Sequence, residues 1–179
     1  MIKLYNHSKV QDEPIRKALT WAARMIGVPG DIYVKVTGNM YVKGKFAGLA
    51  FLGYPRVSYL QNKPRSKWTN VWCDWGNNIG FVEMAFGLQP PIAKRELNEA
   101  RYFLELALHE FSHILDFRTG KHDDTPRNSA GRRIAHDKRP CELRAEDRVY
   151  NTLEAKRNRE RVDELVLNLA LAIEEANKV

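Results

Sequence analysis

From Leu97 to Arg118 the chain runs without proline or glycine, and Leu104, Ala107, Leu108, Phe111, Ile114 and Leu115 recur at the spacing of a helix with one apolar face. The same spacing places His109, His113 and Asp116 along another stripe of that helix. Upstream, Ile15, Ala18, Leu19, Ala22, Met25 and Ile26 form a second helical stripe, with Asp12 as the expected N-cap, Pro14 in the first turn, and Gly27 and the Val28-Pro29-Gly30 turn as the stop. Ile32, Val34 and Val36 then alternate with Tyr33, Lys35 and Thr37, the period of a half-buried strand. Between Met40 and Ala85 turn residues come densely and separate short aromatic and β-branched runs. An antiparallel meander is expected there, with strands at Phe46 to Leu52, Arg56 to Leu60, Trp68 to Asp74 and Gly80 to Ala85. Pro90-Pro91 stops the sheet and Thr119-Gly120 stops the central helix. A polar, Arg-rich stretch to Pro140 follows. The chain then resumes an amphipathic pattern at Glu142 through Leu143, Val149, Tyr150 and Leu153, breaks at Lys156 to Arg161, and ends on a helix with Val162, Leu165, Val166, Leu169 and Ile173 on its inner stripe.

Composition narrows the class. A chain of 179 residues with 44% hydrophobic content suits one domain, expected to span residues 1–179. No apolar run approaches the roughly 20 residues that cross a bilayer, and the first six residues lack the apolar centre of a secretory signal. Cys73 and Cys141 do not make a disulfide framework; buried thiols are expected, in a cytoplasmic protein with no membrane partner. Residues 1–96 hold 14 Lys and Arg against 6 Asp and Glu, so all of the net charge of +7 sits there and the rest of the chain is about neutral. Trp68, Trp72 and Trp75 lie beside the basic turn Lys63-Pro64-Arg65-Ser66-Lys67, a combination able to stack and neutralise single-stranded nucleic acid. Interior packing is the competing use, because Trp68 and Trp72 share one strand face.

The chemistry concentrates in His109-Glu110-Phe111-Ser112-His113. Histidines four apart on a helix can reach one metal ion, and the glutamate after the first stands where a base for metal-activated water is needed. Charge is absent from Leu106 to Leu108, and small Ser112 would let a sheet approach closely. A third protein ligand is required, and His122, His136, Glu142, Glu146 and Asp147 are downstream candidates.

With these uncharged flanks the segment resembles the active-site helix of zincin metallopeptidases. The resemblance implies an α+β fold, with a small, mostly antiparallel sheet packed on the HExxH helix and a helical C-terminal region. It implies a Zn2+ cofactor, a peptide or protein substrate, and hydrolysis by Glu110-assisted attack of zinc-bound water. It also makes Phe81 to Ala85 the sheet edge on which an extended peptide would pair. Glu142-Leu143-Arg144-Ala145-Glu146 resembles the second metal-site helix of the glutamate-type zincins (gluzincins), which implies Glu142 as the third ligand and Glu146 as the residue orienting the first histidine. Here the later residue is Glu where Asp or Asn is commoner. Asp116 is a second orienting acceptor or a plain helix-face carboxylate. His136, Arg144 and Tyr150 are candidates to stabilise the oxyanion. Two other readings are a zincin-fold regulatory protein that binds metal without proteolysis, and a basic nucleic-acid-associated module.

Overall fold

A strand forms where the sequence reading places none. Ile2–His7 is β1, and it pairs in parallel with β2, Ile32–Thr37, Ile2 opposite Ile32 and His7 opposite Thr37. Parallel neighbours need a crossover, and α1, Asp12–Ile26, supplies it. The structure, a computed structural model, describes residues 1–38, 48–55, 73–86, 95–121 and 130–178. Within them β3 is Gly48–Pro55 and β4 is Cys73–Ala85, and the sheet runs β1-β2-β4-β3. β4 is parallel to β2 and antiparallel to β3. The fold is therefore α+β with a sheet whose first three strands are parallel, which corrects the expectation of a mostly antiparallel sheet. The meander accounts only for the β3–β4 pair. The expected strand Arg56 to Leu60, residues 68–72 of the expected strand Trp68 to Asp74, the basic turn with Trp68 and Trp72, and His122 lie outside the described residues, whereas Trp75 stands in β4 opposite Gly53.

Two further expectations change with this topology. β4 lies inside the sheet, so Phe81 to Ala85 is no edge; among the described residues β3 is the outer strand beside β4. β2 is buried on both faces rather than half-buried, and Lys35 is accommodated there by Glu83, its register partner on β4, at 3.6 Å. Central parallel strands are covered on both sides, so alternation is overridden.

The helix α2, Arg95–Arg118, occupies the centre. It touches α1, β3 and β4, as well as the two later helices α3, Pro140–Leu153, and α4, Arg159–Asn177. Phe103, Leu104, Ala107, Leu108, Phe111 and Ile114 are buried as the pattern requires, but so are Glu99, Glu110, Ser112, His113 and Asp116. A helix enclosed on several sides must satisfy those polar groups internally, and that sets up the site. Glycines on the sheet make the close approach. A Cβ on Gly80 would lie 2.8 Å from Ile114 Cγ2, and one on Gly48 would lie 2.8 Å from Leu106 Cδ1. Ser112, fully buried, donates from Oγ to Leu108 O at 2.7 Å.

α1 begins at Asp12, one residue earlier than a cap at that position would place it. Gln11 is the N-cap, and Asp12, already helical, accepts from Asn6 Nδ2 at 2.9 Å. Gly27 closes the helix in the left-handed region at φ 73°. Met25, expected on the inner stripe, is exposed, whereas Trp21 is buried. At the far end Arg118 donates to Pro29 O and to Asp31 O, which ties the end of α2 to the turn before β2. No helix among the described residues is long and apolar enough to cross a membrane.

Candidate metal centre

His109 and His113 are one turn apart on α2, and their rings meet edge to face with Nε2 atoms 3.0 Å apart. Glu142, in the first turn of α3, brings Oε2 to 3.1 Å from His109 Nε2 and 3.3 Å from His113 Nε2. Pro140 starts that helix where its missing N–H costs nothing, so Glu142 sits at a fixed distance from the helix start. Two unprotonated ring nitrogens this close repel unless a proton or a cation lies between them.

The donor set fits a metal ion. Ligands about 2.0–2.1 Å from a tetrahedral zinc ion stand roughly 3.3 Å from one another. The three separations here are 3.0, 3.1 and 3.3 Å. Two imidazoles and one carboxylate suit zinc better than calcium or magnesium, which take oxygen shells. His109 keeps 24% of its side chain exposed while His113 and Glu142 are buried, so the cluster is open on the His109 side.

Electrostatics follow from burial and proximity. Burial alone would raise the Glu142 carboxyl, but hydrogen bonds from His109 and His113, with the nearby charge of His136, hold it far below the usual carboxylate range. Burial favours neutral His109, yet the hydrogen bond to Glu142 and the charges of Glu110, Glu142 and Glu146 raise its pKa. Burial pushes the Glu110 carboxyl up to about 7, with the two imidazoles pulling it down and Glu142 adding to the rise. Gly48 explains where that carboxyl lies: a Cβ there would stand 2.5 Å from Glu110 Oε1. β3 thus covers Glu110 at a position where only glycine leaves room.

The remaining sequence candidates separate. His136, in a single 3-10 turn at His136–Lys138, places Nε2 3.2 Å from the other oxygen of Glu142, Oε1, and stays largely exposed. Glu146 is exposed and acts on His109 through its charge, not as the expected hydrogen-bond acceptor. Tyr150 is exposed and begins two helical turns beyond Glu142, about 12 Å along the axis. It is not gathered with the site. Asp116 does not serve the histidines; it accepts from Arg144 Nε at 2.9 Å and Arg148 Nη2 at 2.7 Å. That engagement also takes Arg144 away from the oxyanion role. Cys141 is buried next to Glu142, and burial first, then the Glu142 charge, pushes its thiol up, the opposite of a reactive cysteine.

Sequence reasoning missed Gly48 and Arg148. A glycine inside an expected strand is itself a signal of close backbone approach, so Gly48 carried a readable cue. Arg148 carried none, since its partner is 32 residues away. Comparison of the chain with family models, with curated proteins and with solved structures finds no match in any of the three.

Proposed function

We propose that this chain is a zincin-type, zinc-dependent peptidase in which His109, His113 and Glu142 hold the metal. The observation that carries the reading is the convergence of two Nε2 atoms and one carboxylate oxygen within 3.3 Å of one another, beside a buried glutamate of the same helix. Zinc, when bound, supplies Lewis acidity that polarises a peptide carbonyl and acidifies water. Glu110 accepts the proton of the attacking water and returns it to the amide nitrogen as the C–N bond breaks. Burial of Glu110 under Gly48 confines its carboxyl to one place. β3, the outer strand beside β4 among the described residues, carries Gly48 against Glu110 and is the strand on which an extended peptide would lie.

A second reading is metal binding without proteolysis, in a regulatory role. It is favoured by the fate of the oxyanion candidates: Arg144 is spent on Asp116, Tyr150 is remote, and His136 is against Glu142. Cleavage of a mixed peptide library separates the two. The peptidase reading expects zinc-dependent cleavage that Glu110→Gln abolishes while metal stays bound. A wild-type protein that binds zinc and cleaves nothing supports the regulatory reading.

A further inference from the structure

Glu142 is the ligand that comes from outside the HExxH helix, so the site exists only if α3 docks on α2 at one rotation and one height. Asp116 is the group at which that docking is fixed. It has no solvent exposure, and it lies one turn beyond His113 on α2. Its Oδ2 accepts from Arg144 at 2.9 Å through Nε and at 2.8 Å through Nη2, and its Oδ1 accepts from Arg148 Nη2 at 2.7 Å. Arg144 and Arg148 are one turn apart on α3, on the helix that carries Glu142. Both also bind backbone carbonyls, Arg148 Nη1 to Ser112 O within α2 at 3.2 Å and Arg144 Nη2 to Lys121 O just beyond its end at 2.6 Å.

Each arginine therefore spans a carboxylate oxygen and a fixed main-chain oxygen. A planar guanidinium donating in two directions fixes orientation as well as distance, which a lysine would not. Leu153 anchors the far end of α3 in the core with Val149 packed against it, but beside Glu142 the buried apolar residues are the small Cys141 and Ala145, which oppose sliding and rotation of that end only weakly. A displacement of about 1 Å would carry Glu142 out of ligand distance.

We propose that Asp116, Arg144 and Arg148 are positioning residues that set the zinc affinity of the site by holding Glu142 in register with His109 and His113. The inference rests on the metal reading above. Outer contacts that orient a ligand are worth roughly 10- to 100-fold in metal affinity, and an effect of that size is expected here.

The test is zinc titration of wild type, Asp116→Asn, Glu142→Ala and the Asp116→Asn/Glu142→Ala double variant, each also melted in apo and zinc-saturated forms. Asp116→Asn should bind zinc roughly 10- to 100-fold more weakly. The rise in Tm on adding zinc should shrink with it. In the Glu142→Ala background the same substitution should change zinc affinity little, because the ligand it positions is gone. A purely structural role predicts otherwise: equal destabilisation of apo and loaded forms, and unchanged zinc affinity of the folded protein. That outcome overturns the inference and leaves the metal site standing. A wild-type chain that binds no zinc overturns the metal reading and this inference together. Should Asp116→Asn fail to fold, Arg144→Lys and Arg148→Lys carry the same comparison, since each keeps the charge and loses the fork. Weakened zinc binding in those variants supports the positioning role, and wild-type affinity in both contradicts it.

Discussion

At the scale of single residues, position within the HExxH turn decides what each side chain can do. His109 and His113 face Glu142, while Glu110, one residue on, is sealed under Gly48 and held near pH 7 by its burial. Exchanging Glu110 for Gln keeps the shape and removes the proposed base. Zinc content is expected to stay at the wild-type level while turnover of a cleaved peptide falls roughly 10²- to 10⁴-fold. His113→Ala should lose both, read by metal analysis and the same assay. Retained turnover in the Glu110 variant would remove Glu110 from the chemistry. These residues were legible in the sequence because their spacing alone brings them together. Glu142 was legible too, through the resemblance of its helix, whereas the engagement of Asp116 by Arg144 and Arg148 was not. A carboxylate on a helix face reads the same whether its partner is an imidazole or an arginine 32 residues away.

At the scale of elements, the two glycines under α2 have different neighbours and should fail differently when substituted. Gly80→Ala would drive a methyl into Ile114 Cγ2 at 2.8 Å, in the fully buried core, and overpacking of that kind costs about 1–3 kcal/mol. Urea unfolding should show it as a lower midpoint. Gly48→Ala meets the far ends of two unbranched-stem side chains, Leu106 and Glu110, rather than a β-branched one, so its stability cost should be smaller. Its methyl nevertheless stands 2.5 Å from Glu110 Oε1 and must push it aside, and the proposed base moved by about 1 Å loses on the order of 10²-fold in rate. The expected signature is low turnover with near-normal stability and zinc content. Helices were the legible elements, because α2 and α4 are long and α1 is strongly amphipathic. Strand direction was not. β1, an edge strand among the described residues, has six partly exposed residues, and with it missing nothing in the sequence announces a parallel sheet. β2, buried on both faces, hides its character behind an alternation that suits a half-buried strand equally well.

At the scale of the whole molecule, the metal would join the HExxH helix to the C-terminal helices, since Glu142 enters from α3 and both histidines from α2. Binding to the folded form alone makes zinc a source of stability: at 100 times its Kd it contributes about 2.7 kcal/mol. For a chain of this size, chelation should then lower Tm by roughly 5–10 °C, a shift that His109→Ala abolishes. The most direct measurement of the central claim is zinc bound per chain in the purified wild type, set against His109→Ala and Glu142→Ala under identical conditions. One equivalent in the wild type, none in His109→Ala and markedly weaker binding in Glu142→Ala is the result expected. A wild type with no stoichiometric zinc, or zinc retained undiminished in both variants, would contradict a metal site built from these residues.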